Sequence, residues 1–233
     1  MIPAGKKFTE ARPVPPIVFE WYKDSRRIHS ARAKLEDGNF TLPGGPEPLP
    51  GAFYSSVNPI NAGETGAWFS ELIKQRKHKA IVKQVHDLFP FIEDLSALEL
   101  GGSTIVHADI PSLPRQMPIG LVSHGVNRIV SILIAIAAQS HGVLLLDEIE
   151  NGIYHGIMEN VWSLIYDSCL EHGVQLFTSS HSLEALRKLY PVMEGHEKDF
   201  RLIKTEKKDG VATAQIFAGS NFRSALEQGM DVR

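Results

Sequence analysis

Two adjacent carboxylates, Asp147 and Glu148, directly follow the apolar run Val143–Leu146. A short run of large apolar residues without a polar face is typical of a strand buried on both sides, as in a parallel sheet. The acids then emerge at the carboxyl end of the strand, where open α/β sheets bind ligands. One carboxylate with phosphate oxygens and water suffices to hold Mg²⁺, and the other can orient a water that attacks a phosphate. The alternative is a strand end with two solvated acids.

A second group, Ser123-His124-Gly125, stands before the apolar stretch of residues 126–138. That stretch is apolar nearly all round, which predicts a helix buried on most sides. Serine is a favoured helix N-cap, and glycine lets the backbone approach a ligand closely. The free N–H groups at the start of such a helix can bind an anion. The alternative is a plain helix cap.

A third group, residues 178–181, follows a second short apolar strand predicted at residues 174–177. If the two apolar strands are neighbours, His181 lies at the same sheet edge as Glu148. A histidine there can donate a hydrogen bond to a terminal phosphate. The alternative is a histidine with a structural role only.

The elements that position these groups follow from hydrophobic periodicity and turn residues. A helix predicted at residues 153–169, closed by Gly173, joins the two apolar strands as one βαβ unit. Ser182 is predicted to cap a further helix that runs through Leu189. The remaining carboxy-terminal elements are a hairpin of residues 201–207 and 211–217 and a last helix at residues 222–228.

The amino-terminal part is predicted to be β-rich and irregular. Its strands are expected at residues 17–22, 27–35, 39–42 and 52–57, with a Pro- and Gly-rich loop at residues 42–51. Residues 65–89 have helical periodicity, interrupted by the basic cluster of residues 74–79. We interpret that cluster as a solvated helix face or junction, with nucleic-acid contact as the alternative. Residues 92–100 and 103–110 predict a hairpin across Gly101-Gly102.

Composition limits the classes of protein and of partner that this chain can represent. The 233 residues, with net charge −3 and a pI near 6.4, give no overall basic field that would indicate nucleic acid. The single cysteine, Cys169, excludes an intrachain disulfide and is predicted to be a packed thiol. Neither a signal peptide nor an apolar run of about 20 residues is present. We therefore expect a soluble, cytoplasmic protein without a membrane partner.

Together, in this order, the three groups resemble the second half of an ABC-type ATPase head of the SMC, RecF and OLD-like kind, often called AAA family ATPases. SHGVNR is similar to a degenerate signature motif, VLLLDE to a Walker B element with its catalytic glutamate, and FTSSH to the switch-histidine strand. Glu150-Asn151-Gly152 resembles the D-loop, and the ending ALEQGMDVR resembles the ends of stand-alone members. The similarity covers roughly residues 52–233 and is clearest over residues 121–182.

The resemblance implies an α/β P-loop NTPase fold, a mostly parallel sheet flanked by helices, and the cofactors ATP and Mg²⁺. It implies that Asp147 holds Mg²⁺, Glu148 is the general base and His181 contacts the γ-phosphate. It further implies that Ser123, His124, Gly125 and Asn151 belong to the nucleotide-binding surface, with the signature residues acting across a head-to-tail dimer. His124 stands where the ABC consensus has glycine, and Val126 replaces the usual polar residue.

The sequence contains no G-x-x-x-x-G-K-[ST] motif, through which this family cradles the phosphates. We therefore expect a partial domain: residues 1–51 as a β-rich remnant of the amino-terminal lobe and residues 52–233 as the carboxy-terminal portion of the head. Within that portion, we expect a helical part at about 60–120 and the Walker B and switch core at about 121–233.

Three explanations of the missing motif stay open: a truncated gene product, a split enzyme whose partner chain carries Walker A, and a degenerate module. The first function hypothesis is therefore the catalytic half of an ATPase, inactive alone, acting as a homodimer or with that partner chain. The second is a non-catalytic module that dimerises or binds an effector such as a nuclease. DNA is a further candidate partner.

Overall fold

The computed structural model of the protein describes residues 18–36, 39–41, 49–208, 211–219, 221–222 and 224. The chain divides into two units, residues 1–48 and 49–233. The boundary falls before Gly51, which already pairs with Val143 in the central sheet of the second unit. None of the helices in the described part of the chain combines the length and apolar character that a bilayer span requires.

The first unit contains two short antiparallel pairs of strands. Strands β1 (Val18–Lys23) and β2 (Arg26–Arg32) pair across a turn in which Asp24 and Ser25 have φ values of 48° and 62°. Strands β3 (Lys34–Glu36) and β4 (Asn39–Thr41) form the second pair. The single strand predicted at residues 27–35 is therefore wrong, because β2 ends before β3 begins a new pairing. Residues 17 and 42, at the ends of two predicted strands, lie outside the described residues.

The second unit begins with a strand and two helices. Strand β5 (Gly51–Tyr54) is shorter than the predicted strand of residues 52–57. Helix α1 (Ala62–Lys74) starts at Asn61, whose Oδ1 accepts a hydrogen bond from the Glu64 N–H at 3.1 Å. Helix α2 (His78–Leu88) follows after Arg76, whose φ of 59° breaks the helical path. The basic cluster of residues 74–79 thus lies at a helix junction, and most of its side chains are exposed.

A three-stranded antiparallel sheet follows the two helices. Strands β6 (Asp94–Leu100) and β7 (Ser103–Asp109) pair across Gly101-Gly102, which confirms the predicted hairpin. Strand β8 (Met117–Pro118) adds to the outer edge of β7. The segment predicted as helical at about 60–120 thus contains these three strands beside helices α1 and α2.

The buried helix of the molecule is α4 (His124–Ala138), which the one-turn helix α3 (Ile119–Val122) precedes. Ser123 is its N-cap: the Ser123 Oγ accepts a hydrogen bond from the Val126 N–H at 3.1 Å. Every residue from Arg128 to Ala137 is buried, as the apolar sequence predicts. The helix packs against α1 and α2.

The predicted strand, helix, strand unit is present. Strand β9 (Val143–Leu146) is followed by a 3₁₀ turn and by α5 (Met158–His172), which ends at Gly173 with a φ of 64°. The helix therefore begins later than the predicted position 153. Strand β10 (Gln175–Thr178) then pairs with β9 in parallel. On α5, the Cys169 thiol is free and half-buried, and burial raises its pKa to about 12.

The carboxy-terminal elements extend the predicted ones. Helix α6 (Leu183–Met193) packs against α5, where the Trp162 Nε1–H donates to the Ala185 carbonyl at 2.9 Å. Strands β11 (Arg201–Lys208) and β12 (Val211–Ala218) form the predicted antiparallel hairpin. Most of the predicted last helix, residues 222–228, lies outside the described residues.

The central sheet is parallel and has the order β10-β9-β5. On one face, the buried side chains of Tyr54, Leu144 and Leu146 join the main core, and the Tyr54 hydroxyl donates to the Ser131 carbonyl of α4 at 3.0 Å. The predicted α/β class, with a parallel sheet and flanking helices, is confirmed.

The other face of the sheet is exposed. Phe53, Leu145 and Phe177 stand in register across the three strands, and their side chains are 62%, 42% and 48% exposed. We call this row of three side chains the open face. The prediction that β9 is buried on both sides is therefore wrong for this face, because no element of the described chain packs over it.

Candidate active site

Asp147 is held at the carboxyl end of β9 by two serine hydroxyls. The Ser56 hydroxyl donates to Oδ2 at 2.6 Å, the Ser56 N–H donates to the same oxygen at 3.3 Å, and the Ser179 hydroxyl donates to Oδ1 at 2.7 Å. Ser56 follows β5 and Ser179 follows β10, so the three strands of the parallel sheet deliver these groups to one edge. The carboxylate is consequently fixed in position from both sides.

These hydrogen bonds also keep Asp147 ionised. The side chain of Ser56, then that of Ser179, and the Ser56 N–H lower the pKa of the Asp147 carboxyl, because each donates to the charged form. An ionised carboxylate with fixed oxygens is the chemistry that a hard divalent cation requires.

The lowered pKa of Asp147 predicts a loss of stability in acid. The unfolded chain binds a proton more readily at this position, so the contribution is fully present above the ordinary pKa of about 3.9 and is lost as pH falls through the folded value. We expect Asp147→Asn to lose less unfolding free energy than the wild type between about pH 5 and about pH 3. Urea titrations across that range measure this, with the exposed Asp167→Asn as the control. Equal losses in Asp147→Asn and the wild type would contradict the assignment.

Glu148 has an unusual backbone conformation. Its φ is 47°, in the left-handed region that non-glycine residues seldom adopt. Its N–H donates to the Ser179 Oγ at 2.8 Å, so this one hydroxyl connects both acids. The conformation turns the Glu148 side chain toward the end of β10, where its Oε1 lies 4.0 Å from the Nε2 of His181.

His181 stands in the loop between β10 and α6. Its side chain is 80% exposed, whereas that of Glu148 is 39% exposed. The His181 N–H donates to Glu150 Oε1 at 2.9 Å, which ties this loop to the segment after β9. The structure therefore brings Asp147, Glu148 and His181 to one rim of the sheet.

The start of α4 forms a separate contact with the segment after β9. The His124 ring lies directly over Gly152, whose φ is 75°. A Cβ on Gly125 would lie 2.6 Å from the Gly152 carbonyl oxygen, so the backbones meet there without room for a side chain. Asn151 points to the other side, and its Nδ2 donates to the Ser56 carbonyl at 3.1 Å. Ser123 contributes its hydroxyl to the helix cap and, among the described residues, makes no hydrogen bond to the acid pair.

Three residues of the site were not assigned from the sequence. Ser56 and Ser179 bind Asp147, and Arg128 donates from Nη2 to the carbonyl oxygens of Asp147 and Glu148 at 2.6 and 2.9 Å. A sequence signal was present for two of the three. Ser179 directly follows an apolar strand, and Arg128 is the one charged residue within the apolar stretch of residues 126–138, whereas Ser56 lay inside the strand predicted at residues 52–57.

A family model described as "AAA domain, putative AbiEii toxin, Type IV TA system" matches residues 66–187, which is more than half of the chain. The chain therefore belongs to this family of AAA-type P-loop ATPase domains. No curated protein matches the sequence.

Several solved structures are similar in fold. One comes from a study of ATP-driven dimerization and DNA-stimulated activation of SMC ATPases, at 16% identity, 67% coverage of this chain, 94% of that chain and a TM-score of 0.45. The SmcHead bound to the C-winged helix domain of ScpA is 17% identical, with 70% of this chain and 51% of that chain covered and a TM-score of 0.46. The SMC head domain from Thermotoga maritima is 14% identical, with 86% of this chain and 72% of that chain covered and a TM-score of 0.41.

Proposed function

We propose that this chain is the carboxy-terminal, catalytic half of an ATP-hydrolysing AAA family ATPase of the ABC type. Asp147 orients Mg²⁺, Glu148 activates the attacking water and His181 contacts the γ-phosphate. The observation that carries the proposal is the convergence of these three side chains at the carboxyl ends of two adjacent parallel strands, with 4.0 Å between Glu148 and His181. Such an edge is where α/β folds bind ligands.

The donor set at Asp147 suits Mg²⁺. Within the described residues, no group of three or more His, Cys, Asp or Glu side chains could hold a metal ion by itself. Mg²⁺ is commonly bound by one or two carboxylates, retains several waters and takes its other ligands from substrate phosphates. Asp147 would hold the ion with the help of the Ser56 and Ser179 hydroxyls that fix it, and the ion would neutralise charge on the phosphates.

The exposure of the other two side chains fits their proposed roles. Glu148 remains open enough for water to reach its carboxylate, and a carboxylate positioned next to a phosphate can orient that water for in-line attack. The His181 imidazole is free to approach a phosphate oxygen that arrives at the rim, since its side chain is largely exposed.

The start of α4 is proposed to bind nucleotide held by the opposite protomer. Ser123 and His124 are exposed there, and the N-terminal end of a long helix favours an anion. Gly125 permits the close contact with Gly152, and Asn151 braces Ser56. Through these contacts, the surface that meets the second protomer is continuous with the acid pair.

Phosphate binding at this rim needs basic groups from outside the segments that form it. The segments that form the site, residues 123–125, 147–151 and 178–182, contain three acids and no lysine or arginine. A nucleotide triphosphate therefore needs cations from elsewhere. The open face lies beneath this rim, and β10 is an edge strand of the described sheet. We propose that a partner chain carrying a basic Walker A loop covers the open face and places its loop at the acidic rim.

This partner surface can be tested by substitution. Phe177→Ser is expected to lower the unfolding free energy by about 1 kcal/mol, because the side chain is only half buried. It is expected to abolish association with the Walker A chain, measured by sedimentation of the mixed proteins. Ile216→Ser, an exposed apolar position on β12, is the matched control. A chain that self-associates through the open face would instead become monomeric on Phe177→Ser without any partner.

The isolated chain is expected to hydrolyse little ATP, because its sequence lacks the phosphate-binding motif. Phosphate release by purified residues 1–233 measures this. Hydrolysis that Glu148→Gln abolishes would contradict the proposal that a second segment is needed. The DNA around the Met1 codon is the complementary observation: an in-frame or adjacent Walker A sequence would identify the missing segment.

Nucleotide-dependent dimerisation of the completed enzyme tests the proposed contact at Ser123. Both Ser123→Asn and Ser123→Asp preserve a good helix N-cap, but only aspartate places a negative charge where a phosphate would bind. We expect Ser123→Asp to prevent ATP-dependent dimerisation and Ser123→Asn to retain most of it. Equal behaviour of the two variants would contradict an anion contact there.

The second candidate is a non-catalytic module that binds an effector protein such as a nuclease, and the open face is the observation that favours it. Binding of a partner through that face with no dependence on ATP or on Glu148 would support this alternative over the ATPase.

A further inference from the structure

Arg128 connects α4 to the acid pair. Its side chain is 2% exposed, and its Nη2 bridges the carbonyl oxygens of two successive residues, Asp147 at 2.6 Å and Glu148 at 2.9 Å. Burial lowers the pKa of the Arg128 guanidinium, while the carboxylates of Asp147, Glu150 and Glu148 oppose that effect. Arginine keeps its charge even when it is buried, so a buried cation binds the peptide carbonyls at the end of β9.

The backbone that Arg128 holds is the strained one. Glu148 has a φ of 47°, and a left-handed conformation is strained for a residue with a Cβ. Such a conformation persists only where its surroundings enforce it. The Glu148 N–H is held by Ser179 from β10, and the Glu148 carbonyl is held by Arg128 from α4. Arg128 from α4 and Ser179 after β10 therefore both hold the peptide groups around Glu148, and the Asn151 N–H also donates to the Glu148 carbonyl at 2.9 Å.

We propose that Arg128 is a positioning residue that holds Glu148 in its left-handed conformation and so couples the orientation of the Glu148 carboxylate to the position of α4. Arg128 lies little more than one helical turn after Ser123, so the surface formed by Ser123, His124 and Gly125 and the guanidinium belong to one rigid helix. Docking of a ligand or second protomer at that surface would then be transmitted to Glu148.

The structural part of this inference concerns the chain alone, whereas its catalytic consequence rests on the proposed function. In the catalytic setting, a misplaced Glu148 would slow hydrolysis without weakening ATP binding, because the phosphates do not depend on this carboxylate for affinity. Arg128 would thus make activation of water conditional on an ordered α4.

A ligand-free mutant cycle tests the coupling. Glycine adopts positive φ without strain, whereas alanine keeps the Cβ and removes the carboxylate. With Arg128 present, Glu148→Gly is expected to be roughly threefold to tenfold more stable than Glu148→Ala, as a ratio of unfolding equilibrium constants. When Arg128→Met is also present, the backbone at Glu148 is expected to relax. The stability ratio of Glu148→Gly to Glu148→Ala is then expected to approach one. An unchanged ratio in the two backgrounds would overturn the proposal.

Arg128→Lys provides a second test if Arg128→Met does not fold. Lysine keeps the charge but lacks the planar guanidinium that bridges the two carbonyls. We expect amide hydrogen exchange at Ile149 and Asn151 to accelerate at least tenfold in Arg128→Lys, while amides in the middle of α5 exchange as in the wild type. Unchanged exchange at both positions would refute the coupling.

Turnover by the completed enzyme separates this inference from the proposed function. We expect Arg128→Lys to lower kcat and leave the dissociation constant for ATP unchanged. If no variant binds or hydrolyses ATP, the proposed function fails while the mutant cycle still decides the coupling. If ATP is hydrolysed and Arg128→Lys leaves kcat unchanged, the catalytic role of Arg128 fails alone.

Discussion

Replacing Glu148 by glutamine is expected to slow ATP hydrolysis by the completed enzyme about 10²–10⁴-fold, the usual contribution of a positioned general base. Glutamine has the same shape but cannot accept a proton from the attacking water. The side chain is partly exposed and makes no short ion pair within the described residues, so the fold should tolerate the change. Steady-state phosphate release and equilibrium binding of ATP measure the two effects separately.

The expected pattern for Glu148→Gln is therefore loss of turnover with ATP binding retained, and accumulation of the ATP-bound dimer. Glu171→Gln, at an exposed position on α5, is the matched control and should leave turnover unchanged. Wild-type turnover in Glu148→Gln would rule out this residue as the base. A loss of ATP binding would show that the carboxylate serves the structure of the site instead.

Replacing Gly66 by alanine is expected to destabilise the fold by about 1–3 kcal/mol, the usual cost of overpacking. Alanine normally stabilises a helix relative to glycine by about 1 kcal/mol. Gly66 is buried on the face of α1 that packs against β7, however, and a Cβ there would overlap the Thr104 carbonyl oxygen. A backbone carbonyl in a paired strand cannot move aside cheaply, so the helix itself must shift.

Gly63 of the same helix is the matched control for Gly66. A Cβ on Gly63 would lie 3.5 Å from the Asn61 Oδ1, an ordinary contact. Gly63→Ala is therefore expected to raise the unfolding free energy, by about 0.5 kcal/mol. If α1 packs on β7 as closely as described, urea titrations will show that the two substitutions change the unfolding free energy in opposite directions. Stabilisation by both substitutions would show that the helix and the strand are farther apart.

Local patterns in the sequence predicted the elements that carry the site. The apolar run before Asp147 predicted β9, Gly101-Gly102 predicted a hairpin, and the apolar stretch of residues 126–138 predicted a buried helix. Each of these patterns depends on residues close together in sequence. They identified the strand ends at which Glu148 and His181 stand, and the parallel pairing of β9 with β10 brings the two side chains together.

Other features depended on pairings that local patterns do not contain. The partner of Asp147 is Ser56, which reaches it only because β5 lies beside β9 in the sheet. A run of four apolar residues also looks the same whether one or both faces of its strand are covered, so the exposure of Leu145 was not foreseen. The left-handed backbone of Glu148 likewise makes hydrogen bonds to groups distant in sequence, the Ser179 hydroxyl and the Arg128 guanidinium.

The open face has a consequence for how the chain behaves during synthesis. The row of Phe53, Leu145 and Phe177 lies next to β10, an edge strand of the sheet within the described residues, and such a surface is a template for aggregation when it meets other nascent chains. A polypeptide with this surface gains solubility from early assembly. We therefore expect its soluble yield in a heterologous host to rise when the covering chain is produced in the same cell.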